Sequence, residues 1–229
     1  HSNLSEDLSE GRDKRRRSSY LCCMTRARTY APAYDRDAAL DAAVTLFWRK
    51  GYHATSLKDL EAALQMKPGS IYAAFSSKEA LFCLALDRYF ARMSEEFRNE
   101  IDQAESPLTA LSEYLRKLGR YPASDPRHRA CMLVKTVLDA TPEETAIAAH
   151  AGRYLDQIRE EFTRMFERAK AMGELPADAD CARLAHRYQT SITAIKIEMH
   201  RGAAQADLVS LAEDMAMELD ALNPARSAA

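Results

Sequence analysis

Glycine and proline are scarce in this chain, seven and eight residues in 229. They fall between segments of helical periodicity rather than inside them, and no convincing period-2 alternation is present, which excludes a sheet-based fold. Cysteine is scarcer still and odd in number, at positions 22, 23, 83, 131 and 181. That spacing fits no zinc pattern and cannot close into a disulfide framework, so no metal or cofactor is expected, and a reducing cytoplasm is the expected compartment. No run approaches the roughly 20 apolar residues of a membrane helix. The opening stretch HSNLSEDLSEGRDKRRRSSYLCCM has a basic cluster without the apolar core of a signal peptide. Neither a Ser, His and carboxylate group nor a Gly-rich phosphate loop stands out, so the chain is not expected to be an enzyme. An excess of one charge is missing too, with 32 Lys and Arg against 34 Asp and Glu. The distribution is less even: residues 1–80 carry 13 basic and 10 acidic side chains, the remainder 19 and 24. A mildly basic front on an acidic body is compatible with nucleic-acid binding by the front alone.

What is present is helix. The pattern predicts a first helix from an Asp35 N-cap through Leu40, Val44, Phe47 and Trp48 to a Gly51 stop, and a short second one after Thr55 and Ser56. Ser76 to Glu79, SSKE, reads as a capping box opening a long helix, and Thr141 to Glu144, TPEE, as another. Ser106-Pro107 starts a helix of its own, CMLVKTVLDA lies on a shorter one, and two apolar stripes, Leu184 to Met199 and Leu208 to Leu222, close the chain. The expected fold is all-α, about nine helices. Residues 1–33 are expected to be an extension (a tag remnant or flexible arm, with Met24 a candidate start), residues 34–80 a DNA-binding domain and 81–229 a sensing and dimerisation domain.

Residues 57–75, LKDLEAALQMKPGSIYAAF, place Pro68 and Gly69 in what would otherwise be one amphipathic helix. A short helix, a tight turn and a second short helix form a helix-turn-helix. Pro68 suits the first position of the second helix, where its missing N–H costs nothing. Gly69 lets backbone approach a surface, and the amides of a helix start suit a phosphate. Ser70 and Tyr72 offer hydroxyls, and Lys67 and Lys78 add charge at either edge. An ordinary turn in a small helical bundle would account for the same residues.

The stretch from Thr55 to Phe82, TSLKDLEAALQMKPGSIYAAFSSKEALF, resembles the DNA-binding signature of the TetR family of bacterial repressors, and the likeness continues upstream to about residue 35. Ala73 and Ala74 depart from it, because members often carry larger side chains such as His-Tyr there. The resemblance implies a phosphate-facing Thr55, a tip made by Lys67, Pro68, Gly69, Ser70 and Tyr72, and Lys78 at the start of a linker helix. It also implies a homodimer on operator DNA, joined through the last two helices. Leu184, Ile192, Ile195, Leu208, Leu211, Met215 and Leu219 are the candidate interface residues. The helices between are expected to house an effector pocket, for which Tyr154, Ile158, Phe162 and Tyr188 are candidates if they are not plain core.

Cys131 stands apart. It begins the segment ACMLVKT after the basic loop DPRHR, a setting that favours thiolate. The segment resembles that of the NemR-type electrophile and oxidant sensors of the family, which pair the cysteine with a late lysine; Lys196 has the equivalent context. A buried small hydrophobe is the bland reading of the same cysteine. The expected function is therefore a repressor released by a small molecule or by cysteine modification. The rival is a helical interaction module, or a family member without DNA binding.

Overall fold

The computed structural model describes residues 35–101, 104–122 and 130–227, which are helical throughout apart from connecting turns. Local sequence sets the helix ends. α1 (Arg36–Lys50) starts where the Asp35 carboxylate accepts from the amides of Asp37 and Ala38, and ends at Gly51, whose φ of +82° suits glycine. α2 (Leu57–Leu64) carries a full capping box between Ser56 and Asp59. α3 (Pro68–Phe75) has its proline in the first turn, as expected. α4 (Lys78–Ile101) is capped differently from the sequence reading. Ser76 is spent ending α3 at a φ of +68°, and the Ser77 hydroxyl accepts the Ala80 amide instead.

α5 (Pro107–Gly119) is capped by Ser106 and α6 (Met132–Asp139) begins directly after Cys131. α7 (Thr145–Ala171) starts three residues later than TPEE suggested. There the Thr141 amide donates to the Glu144 carboxylate, closing a turn rather than a helix start. α8 (Cys181–Arg201) and α9 (Gln205–Asp220) follow, with a short turn of helix, α10 (Pro224–Ser227), at the end. No described helix is long and apolar enough to cross a membrane.

Two apolar clusters fill the interior. The first joins α1–α3 to Leu81–Tyr89 of α4 and also takes in Met132, Leu133, Ile147 and Ala151 from α6 and α7. The second gathers Phe97 and Ile101 with α5, the far half of α7, α8 and α9. A division at residue 80 therefore marks where the sequence motif ends, not where packing ends, and Tyr34–Ala229 hold together as one unit. α4 threads both clusters.

α5 and α9 meet at Gly119. A Cβ there would lie 2.5 Å from the Cβ of Ala212 and 2.8 Å from the Leu208 carbonyl oxygen, so only hydrogen fits. Gly119→Ala is expected to lower the unfolding free energy by about 1–3 kcal/mol, the usual penalty for overpacking. Urea denaturation reads this directly, and an unchanged midpoint would mean that the two helices do not approach so closely.

Candidate functional site

The tip of α3 is built by inward anchoring of its other face. Ile71 and Phe75 are buried, which turns Lys67, Gly69, Ser70, Tyr72 and Ala73 outward. Gln65 in the left-handed region and buried Met66 carry the chain across the turn from α2. A Cβ on Gly69 would meet nothing within 4 Å, so the position faces open space, and Tyr72 is 44% exposed. The amides of Ser70 and Ile71 fold back onto the Lys67 carbonyl. Those two donors are therefore engaged within the chain, and the positive end offered outward is narrower than a bare helix start would give.

Two residues of the predicted contact set sit elsewhere. Thr55 is fully buried, its hydroxyl donating to the Gly51 carbonyl at 2.6 Å. It braces the α1–α2 corner and does not face outward. Lys78 is half-buried with its ammonium 4.4 Å from the centroid of the Tyr52 ring. Burial lowers its pKa, and Glu144 works against that shift.

This head is tied to the body through α6, which the sequence did not reveal. The Trp48 indole donates to the Ala130 carbonyl at 2.8 Å, and the Lys135 ammonium donates back to the Trp48 carbonyl at 3.2 Å. At the other end of α6, His53 Nε2 lies 3.1 Å from both the Asp139 carbonyl and the Glu144 carboxylate. Arg88 of α4 grips Asp41 of α1 with two bonds of 3.0 Å, which holds the Asp41 carboxyl below its usual range. None of these pairs is periodic in sequence, and all span more than 45 residues.

A cavity of about 350 Å³ lies inside the body, within the size range of ligand sites. Its walls come from α4, α5, α6, α7 and α8, and Cys131 and Lys196 both line it. Of the four expected pocket residues, Ile158 and Phe162 are present. Tyr188 is instead buried in the second cluster, its hydroxyl donating to the Leu111 carbonyl. Tyr154 stacks on Phe90 and its hydroxyl donates to Asp87; burial, and then that bond, push its pKa up to about 12. Arg127, His128 and Arg129, expected to activate Cys131, lie outside the described residues. Buried Tyr89 lies near the thiol. Its phenol is pushed up foremost by burial and then by the neighbouring sulfur.

Three of the seven expected dimer residues are buried within their own chain, and the other four are half-buried with part of each side chain still open. Ile195, Leu208 and Leu219 are buried in the second cluster; Leu184, Leu211 and Met215 pack against it, and Ile192 lines the cavity. An apolar stripe at helical spacing marks a buried face without saying what buries it, and here α5, α7 and α8 do. The large apolar side chains that α8 and α9 leave exposed are Ile197, Val209 and Met217.

Comparison with known proteins agrees with this geometry. A sequence model of the bacterial regulatory proteins of the tetR family matches residues 39–83, and one of the tetracyclin repressor-like C-terminal domain matches residues 107–207. The HTH-type transcriptional repressor ComR of Escherichia coli (strain K12) is 32% identical over 192 residues, 83% of this chain and 91% of its own length. A cysteine-substituted form of the TetR family regulator CifR, solved with 26-base-pair double-strand operator DNA, is similar with a TM-score of 0.74 at 31% identity, over 81% of this chain and 96% of that one. A TetR family regulator from Cytophaga hutchinsonii shares the fold, with a TM-score of 0.72 at 20% identity over 82% of this chain and 94% of that one.

Proposed function

This chain belongs to the tetR family of bacterial regulatory proteins, a family of DNA-binding regulators rather than enzymes, and from that premise we propose that it is a homodimeric repressor released from its operator by an occupant of the body cavity or by modification of Cys131. The observation that carries the DNA-binding part is the outward row Lys67, Gly69, Ser70 and Tyr72 on a helix whose other face is fixed in the core. Lysine and hydroxyl groups on a short exposed helix suit phosphates, which position a protein on DNA, while base edges specify the sequence. Ala73 leaves the outward face poor in base-reading side chains.

Lys67→Ala is expected to weaken operator binding and to reduce the slope of log affinity against log salt by about one unit, because one fewer counterion is released. Fluorescence anisotropy across a salt series measures it. Weaker binding at an unchanged slope would place Lys67 away from the backbone. Tyr72→Phe should weaken specific and non-specific duplexes alike.

The bonds among Trp48, Ala130 and Lys135 give release a route. Cys131 at the N-cap of α6 and Val134 within it line the cavity while Lys135 bonds the end of α1, so an occupant that shifts α6 acts directly on α1, which packs against α2 of the helix-turn-helix. Two such tips must stand about 34–36 Å apart to enter successive major grooves, and a small tilt of each head spoils that spacing.

A further inference from the structure

A second chamber of about 340 Å³ adjoins the first, and Tyr114 of α5 lines both. Its ring stands edge-on to that of Phe97, with centroids 5.1 Å apart. Among the described residues no group hydrogen-bonds its hydroxyl. Every sealed-off side-chain nitrogen or oxygen among those residues has a partner, so this hydroxyl opens onto the space its ring lines. We propose that the cavity takes an uncharged carbonyl compound with an apolar, ring-bearing body, and that the Tyr114 hydroxyl donates to its carbonyl oxygen. This deepens the reading of the cavity as the effector site and rests on it.

The body of such a ligand would lie against Phe90, Phe97, Phe162 and Ile158, which line the first chamber. Two other polar groups of that wall already donate within the chain. Gln189 donates from Nε2 to the Leu155 carbonyl at 2.8 Å, and the Thr193 hydroxyl donates to the Gln189 carbonyl at 2.9 Å. Ser94, half-buried, offers a second hydroxyl on the same wall. Burial, and then Tyr121, push the pKa of Tyr114 far up, so the phenol stays protonated and able to donate at any ordinary pH. Charge gives an ionic head little hold. The two chambers together are lined by four basic and four acidic side chains. Arg92, Glu96, Arg98, Glu100, Glu160 and Arg164 are exposed to solvent. The half-buried ones are Glu161, which accepts from Arg98 and Arg164, and Lys196, which already has an interaction within the chain. A charged head drawn inside would lose its water without meeting an open counter-ion. A carbonyl oxygen needs only the phenol.

The test keeps one apolar body and changes its head. Butylbenzene, 4-phenylbutan-2-one, 4-phenylbutyrate and 4-phenylbutan-2-amine are each brought to equilibrium dialysis against the full chain and against Tyr114→Phe, which keeps the ring and removes the donor. The ketone is expected to bind the unaltered chain at least about 10-fold more tightly than either charged compound. Tyr114→Phe should weaken the ketone about 3- to 10-fold, the range for one neutral hydrogen bond, and leave butylbenzene within about twofold. Ile158→Trp, its helical fold checked by circular dichroism, fills the first chamber and should abolish binding of all four. Tighter binding of either charged compound overturns the uncharged class but leaves the cavity as an effector site. A ketone and a hydrocarbon weakened alike by Tyr114→Phe, or a ketone weakened by Ser94→Ala and not by Tyr114→Phe, overturns the role of Tyr114. Binding that survives Ile158→Trp, or no binding of any of the four, overturns the cavity reading itself.

Discussion

Operator binding is expected to be lost when Ile197 and Met217 are both replaced by aspartate. Arg187 and Glu218 pair at 3.4 Å, which sets the start of α8 beside the end of α9, so the helices run antiparallel and bring Ile197 toward Val209. Ile197, Val209 and Met217 are 43%, 37% and 51% exposed, the large apolar side chains that α8 and α9 leave open to a second copy. If a second copy covers them, each aspartate buries an unpaired charge at a cost of several kcal/mol. A monomer holds one recognition helix, and the loss of the tethered second contact weakens binding by about 10²–10⁴-fold. Sedimentation velocity should report monomer with an intact helical fold. Leu208→Asp makes the contrast, because Leu208 is buried within its own chain and its substitution should unfold the protein rather than split it. A dimer persisting in the double variant would put the interface on another face.

The second large effect concerns Cys131. Hypochlorous acid transfers its chlorine to the thiolate and leaves hydroxide, so sulfur is oxidised as chlorine is reduced. The Lys196 amine can then displace chloride from sulfur, giving a sulfur–nitrogen bond with loss of a proton. Both side chains line the same cavity, on α8 and at the start of α6. The expected product is a chain lighter by two hydrogens, with the crosslinked peptides found by mass spectrometry and the operator released. Cys131→Ser should keep operator affinity and lose this release. Tyr89→Phe removes the phenol near the sulfur and should alter the rate of oxidation without altering DNA binding. A Cys131→Ser protein that still lets go at the same oxidant dose would leave the cysteine a wall residue and nothing more.

Much of this architecture was legible in the sequence because it is local. Asp35, Gly51, Ser56, Pro68 and Ser106 each act within four residues of themselves, and the structure uses all five where the pattern put them. Ser76 and Ser77 show the limit of such reading. Both precede a helix, and the choice between them falls to Ser77 because α3 ends at Ser76. Stripes on α8 and α9 were correctly read as apolar faces, but whether a neighbour within the chain or a second copy covers them is a tertiary fact. Gly119 is informative here, since its closeness to Ala212 leaves α5, not a partner, against that face of α9. Tyr89, Tyr114 and the Trp48–Ala130 bond were missed for the same reason. Tyr89 belonged to a regular apolar run, Tyr114 had no neighbouring motif, and an indole donating to a carbonyl 82 residues away leaves no mark on either segment. Cys131 and Lys196 were paired by resemblance, and they line one cavity.

The most direct measurement is selection of DNA by the full chain from a pool of randomised duplexes, followed by the stoichiometry of the selected complex. The account predicts an inverted repeat with half-site centres about 10–10.5 base pairs apart, or a multiple of that, bound by an even number of chains and lost with Lys67→Ala and Tyr72→Phe combined. Selection of no sequence, or of a single half-site held by one chain, would contradict it.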